Sequence, residues 1–309
     1  MARHDDLRTT ADALADSVVV CGVGRYDAVL AETSFARARY SPIAELPERV
    51  SDSTAAVVVG VDPAACDDVR AVSDALATLE ADSGSDVFTV AVLPCDAVDA
   101  DALAAVHGRV DALLLVGAPE GGGTGGSEME EDGTVGTPDP VESGIRELLA
   151  AVQRPGFVNL DLTDARTVLS AGVAALGSGT AGRDAPAAAV EVAFDRLPRG
   201  VDVGDATAVL VDVVVDPATS ITAATDAISA VRERIDGDAN VIWGGAVDES
   251  ADGEIAVRVV VADVRYAPPL AAGDACPRCT TPLSAYEFGA RTTLSCDGCG
   301  FSGIAVRRD

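Results

Sequence analysis

Four short apolar runs, spaced along the first 117 residues, set the pattern of this chain. SVVVC (17–21) has no polar alternation, which predicts a strand buried on both faces. AAVVVGV (55–61), VFTVAVL (87–93) and VDALLLVG (110–117) repeat it, and between them CDDVRAVSDALATLEAD (66–82) and DADALAAVHG (99–108) read as helices. Strand alternating with helix predicts an α/β, doubly wound parallel sheet.

The rhythm stops at 119–140. PEGGGTGGSEMEEDGTVGTPDP has Gly, Thr, Pro and acidic residues without apolar periodicity, and predicts a flexible acidic loop. A helix over 141–153 follows, with Ile145, Leu148, Leu149 and Val152 at three- and four-residue spacing. Further helices are expected at 163–170, 184–196 and 221–235, and strands at 206–216, 239–249 and 254–264. SADG, between the last two strands, reads as a hairpin turn. Pro268 and Pro269 mark a linker to a terminal module.

Composition narrows the setting. Formal charge is −28 from 50 acidic and 22 basic residues, and every basic residue is Arg. Apolar positions are mostly Ala and Val, and aromatics are 4% of the chain. We read this as adaptation to a cytoplasm of very high salt, where the screening length falls to about 3 Å at 1 M. An acidic protein of an ordinary cytoplasm is the alternative, and the absence of Lys argues against it. So negative a body is poorly suited to nucleic acid, which needs clustered cations. No apolar run approaches the roughly 18 residues of a membrane span, and MARHDDLRTTADALADS lacks the apolar core of a signal peptide. A cytoplasmic protein without direct membrane insertion is expected.

The C-terminal module carries the most specific local chemistry. Cys276-Pro-Arg-Cys279 and Cys296-Asp-Gly-Cys299 are two C-x-x-C knuckles, each able to offer two thiolates to one tetrahedral metal. YEFGARTTLS between them reads as hairpin strands, so a zinc ribbon held together by Zn is expected. Two disulfides are the alternative, disfavoured in a reducing cytoplasm. Cys21, Cys66 and Cys95 read as small core residues, and His4 and His107 as surface residues.

RPGFVNLDLTDARTV (154–168) resembles the synergy loop of the FtsZ/tubulin family, an Asn-x-Asp-x-x-Asp segment, here Asn159, Asp161 and Asp164. LGSGTAG (176–182) is similar to a Gly-rich turn of that family. ATAVLVDVVVDPATSIT resembles its next strand and turn, DANVIWGGAVDE a strand ending in an acidic pair (Asp248, Glu249), and EIAVRVVVADV its last strand. The resemblance runs from Val141 to about Val264. It implies a Rossmann-like N-terminal sheet, a central helix and a two-layer α/β C-terminal domain. It also implies that the loop's carboxylates position the water attacking a neighbouring subunit's GTP, so they act in trans. Asn159 and Asp164 as simple helix caps are the plainer reading.

The N-terminal half departs from the family. Where its first phosphate loop belongs, this chain reads CGVGRYDAVLAET: Gly22 and Gly24 remain as residual cofactor-binding positions, but Tyr26 adds bulk and Asp27 adds repelling charge. Gly121-Gly122-Gly123-Thr124-Gly125-Gly126 looks like the family's second phosphate loop. If strand order is preserved, however, it lies one connection before the central helix, at the wrong strand end. The altered cradle argues against GTP or GDP as a resident ligand. The expected organisation is a degenerate nucleotide domain (1–140), a central helix (141–153), an FtsZ-like domain (154–266) and the ribbon (267–309). The expected function is a cytoskeletal or cell-division pseudo-GTPase without independent activity, whose protein partner is an FtsZ-type filament or itself. The alternatives are an active, polymerising GTPase and a zinc-ribbon adaptor on a tubulin-like scaffold.

Overall fold

In the computed structural model, residues 17–35, 37–51, 53–62, 87–95, 100–117, 139–235, 237–267, 270, 272–276, 278–288 and 291–304 are described. The predicted helix at 66–82 and the GGGTGG segment lie outside them, as do Cys66 and His4. The chain divides into two compact units, Met1–Arg265 and Tyr266–Asp309.

The first unit opens with strand β1 (Val18–Val23) and helix α1 (Arg25–Glu32), followed by β2 (Arg39–Tyr40), a one-turn helix α2 (Leu46–Arg49), β3 (Ala56–Val61) and β4 (Phe88–Pro94). Helix α3 (Ala100–His107), β5 (Ala112–Val116) and α4 (Pro140–Gln153) come next, then α5 (Leu162–Leu169), β6 (Val173–Gly182) and α6 (Pro186–Asp195). After β7 (Val201–Asp202) come β8 (Ala208–Val215), α7 (Ile221–Arg234), β9 (Asn240–Val247), β10 (Glu254–Ala262) and β11 (Arg265–Tyr266).

Among the described residues, one nine-stranded sheet runs in the order β2-β1-β3-β4-β5-β6-β10-β8-β9. Its pairings are parallel except where β10 lies antiparallel to both β6 and β8. The fold is the expected mixed α/β architecture with a mainly parallel sheet. The unbroken apolar runs form strands with every position of β1, β3, β5 and β8 buried, as a sheet covered on both faces requires. Helix α4 starts where Asp139 accepts hydrogen bonds from the amides of Val141 and Glu142, with Pro140 in the first turn. It buries Val141, Ile145, Leu148, Leu149 and Val152. A Cβ on Gly144 would lie 2.4 Å from Val116 Cγ1, so the helix packs close against β5.

Two expectations fail. LGSGTAG is not a turn but most of β6, and its glycines serve packing. A Cβ on Gly177 would lie 2.1 Å from the Ala193 carbonyl oxygen, and one on Gly179 2.2 Å from that of Ala189, so α6 rests on bare strand backbone. Nor does SADG close a hairpin. Strand β8 pairs with β10 on one side and β9 on the other, so the 248–253 connection steps over β8. The fully buried β8 takes the interior place, while β9, exposed at both ends, takes the edge.

In the second unit, strands β12 (Ser284–Phe288), β13 (Arg291–Ser295) and β14 (Ser302–Ile304) form an antiparallel sheet. Its core is Leu283 and Leu294 with Cys276 and Cys296. So small a core leaves folding dependent on a staple.

Candidate functional site

The segment after α4 is fixed by its contact with the sheet edge. Val158 and Gly245 exchange two backbone hydrogen bonds, at 3.2 and 2.9 Å. A Cβ on Gly156 would lie 2.1 Å from the Gly245 oxygen; one on Gly245 would lie 2.3 Å from Phe157 Cζ; one on Gly244 would lie 2.5 Å from Leu160 Cγ. Three glycines therefore let loop and strand interlock. The sequence signal for this interlock is the Gly-Gly pair inside a strand, a mark of close backbone approach.

This seat holds the three polar residues of the loop. Asn159 Oδ1 accepts from the Gly156 amide at 2.8 Å. Asp161 is the N-cap of α5: its Oδ1 accepts from the amides of Thr163 and Asp164, at 2.8 and 3.0 Å, while Asp164 Oδ2 accepts from the Asp161 amide at 3.0 Å. Of the two residues read as possible caps, Asp164 takes part through this reciprocal box and Asn159 instead ties down the loop. A carboxylate accepts at both oxygens, so the cap leaves capacity on each Asp. Asn159 and Asp161 are exposed. Nearby, Asp248 is held below the ordinary carboxylate range by the Ser250 hydroxyl and amide.

At the C-terminal end of β1, Gly22 is met by the chain itself. A Cβ on Gly22 would lie 2.2 Å from the Tyr26 carbonyl oxygen, so the first turn of α1 sits directly on β1. Gly24 is its N-cap, with φ 66°. Tyr26 is fully buried. Arg25 Nη2 donates to its hydroxyl at 2.6 Å and approaches Asp62 at 4.0 Å. Burial pushes the Tyr26 hydroxyl up to about 12 despite that bond. Cys21 and Cys95 are buried, burial pushing the Cys21 thiol up to about 12, and His107 is exposed.

In the second unit, the sulfurs of Cys276, Cys279, Cys296 and Cys299 lie within 4.8 Å of one another. Cys276 and Cys299 approach to 3.7 Å, and Cys279 and Cys296 to 3.3 Å. Four thiolates about 2.3 Å from one tetrahedral ion would sit about 3.8 Å apart, so this group could hold a metal ion. The thiols are unequal. Hydrogen bonds with Thr281, through its side chain and its backbone, bring Cys279 down to about 6. At Cys299 the Phe301 amide favours the thiolate, but burial and the neighbouring sulfurs outweigh it and push the thiol up to about 12. Crowded sulfurs retain their last protons until a cation compensates the charge.

A parallel-to-mixed sheet with a long helix feeding a capped acidic loop defines a tubulin-like body, here followed by a four-cysteine module. Residues 172–265 match the FtsZ family, C-terminal domain. Cell division protein FtsZ 1 of Halobacterium salinarum is 42% identical over 123 residues, 39% of this chain and 30% of that protein. FtsZ 1 of Archaeoglobus fulgidus is 36% identical over 124 residues, 40% of this chain and 33% of that protein. The chain thus spans about a third of the length of these curated relatives. Among solved structures, an empty FtsZ dimer of M. jannaschii aligns with TM-score 0.58 and 16% identity over 84% of this chain and 92% of its own. CetZ2 of Haloferax volcanii, in a GTPγS-bound protofilament, aligns at 0.57 and 20% over 86% and 89%. The chain therefore carries an FtsZ-type C-terminal domain at 172–265, within a fold of the FtsZ/tubulin type. Among the described residues, no helix is long and apolar enough to cross a membrane.

Proposed function

We propose that this chain is a cytoskeletal or cell-division pseudo-GTPase of a salt-adapted cytoplasm, presenting Asn159, Asp161 and Asp164 to a filament-forming GTPase of the FtsZ type. One contrast carries the reading. The acidic loop is seated and capped, whereas at the β1 end α1 packs onto Gly22 and Arg25 is engaged by Tyr26 and Asp62. Bare amides and room are what a phosphate cradle needs. Exposed Phe157 (41%) and Val247 (51%) add apolar surface on the loop and at the end of β9, as a docking face would. In the four-cysteine module, Cys276, Cys279, Cys296 and Cys299 would hold Zn as a structural ion.

The test mixes the protein with an authentic FtsZ-type GTPase and follows polymer mass and GTP turnover. Wild type is expected to change both. Asp161→Asn/Asp164→Asn keeps the cap acceptors and removes the charges, so it should lose the effect as fully as the double Ala variant. If the Asn pair acts like wild type, the carboxylates serve only α5. Tight GTP uptake by the purified chain would refute the pseudo-GTPase. The four-sulfur cluster favours a second reading, a zinc-ribbon adaptor; removal of 267–309 would then abolish activity while the Asn pair stays silent.

A further inference from the structure

We propose that the cavity at the C-terminal end of α4 binds a small organic anion, its acidic group held by guanidinium groups and its apolar or aromatic body seated on Phe35 and Leu149. This does not rest on the proposed role toward filaments. The cavity has a volume of about 400 Å³, within the range of small-ligand sites. Arg is 22 of 309 residues in a chain of charge −28, yet three of the nine lining residues are Arg37, Arg146 and Arg154, and none is acidic. Such a concentration of cations in an acidic molecule selects for negative charge.

The site is also built in advance. Arg37 Nη1 donates to the Gln153 carbonyl and Gln153 Nε2 to the Arg37 carbonyl, both at 2.8 Å. Arg146 donates to Glu142 at 2.9 Å and to the Ser34 carbonyl at 3.1 Å, with its guanidinium 5.7 Å from the centre of the Phe35 ring. These bonds position two guanidiniums without using all five donors of either. Helix capping accounts for Arg37 and a helical ion pair for Arg146. Neither applies to Arg154, which forms no ion pair within 4.0 Å among the described residues and acts only at longer range on the Asp212 and Asp248 carboxylates. Fixed donors lower the ordering cost of binding.

Calorimetric titration of the full chain with phenyl phosphate tests the assignment, with inorganic phosphate and phenol as separate arms. One molecule of phenyl phosphate should bind per chain, more tightly than either fragment. Arg154→Gln should weaken it by about tenfold or more, the effect of losing one charge-assisted contact. Ala150→Leu, a good helix former that fills the cavity while leaving every guanidinium in place, should abolish it. Phenyl phosphate that fails to bind at millimolar concentration, or binds both variants as it does wild type, overturns the assignment. So does inorganic phosphate or phenol matching its affinity.

Discussion

Gly156→Ala isolates the contact that seats the acidic loop. Gly156 does not have positive φ, so Ala suits the backbone there, and the obstacle is the β9 main chain, with the Gly245 oxygen 2.1 Å, the Gly245 carbonyl carbon 2.9 Å and Ala246 Cα 3.2 Å from the new Cβ. That oxygen is main chain in a paired strand and cannot swing aside, so the loop must lift. Lifting breaks the two Val158–Gly245 hydrogen bonds, worth about 0.5–1.5 kcal/mol each net, or about 1–3 together. Ala also restricts the unfolded chain, returning about 0.4–1 kcal/mol. The expected destabilisation is therefore about 0–2.6 kcal/mol, centred near about 1.3 kcal/mol. Urea unfolding measures it, and hydrogen exchange at the Val158 and Gly245 amides localises it, since both should lose protection while β8 keeps its own. Stability within about 0.5 kcal/mol of wild type, with both amides still protected, would refute the idea that close approach at Gly156 seats the loop.

A carboxylate on the inner face of α4 predicts a pH effect. Glu147 is raised above its ordinary range, chiefly by burial, although Arg258, Ser178 and Arg196 pull the other way. Its Oε2 has no hydrogen bond and the Arg258 guanidinium stands 4.0 Å away, while Arg258 donates to Asp212 at 2.7 Å. The unfolded chain loses this proton near pH 4.3 and the folded chain at higher pH, so stability falls as pH rises through that window. Glu147→Gln should shrink the fall to the part contributed by Asp212, which burial also raises, giving a variant more stable than wild type at pH 7 and no better at pH 4 by urea midpoint. In the cysteine module, metal analysis should find one Zn per chain. A chelator, or Cys296→Ser, should make residues 266–309 sensitive to protease while the sheet of the first unit stays resistant.

What the sequence made legible was local. The apolar runs at β1, β3, β4 and β5 became buried strands because such runs fit a sheet covered on both faces. The two knuckles could be read as one cluster because each pair lies within a single turn of chain, and the hairpin of β12 and β13 needs only local pairing to bring them together. The capping box was legible only in part: Asp164 read as a cap and takes part, but the N-cap is Asp161, three residues before it, rather than Asn159.

The misreadings share a different cause. SADG has turn composition, and nothing within those four residues says that β8 lies between the strands they join. LGSGTAG has turn composition too, and it is a strand because the α6 backbone arrives from outside it. The Arg-lined cavity is the extreme case: its central clamp joins Arg37 to Gln153, 116 positions apart, and no window of sequence contains both. Glycines and arginines were thus the residues whose meaning was least visible in the chain. A missing Cβ or a long cationic arm matters only through what comes to meet it, whereas a Val in a strand or a Cys in a knuckle largely brings its own partners.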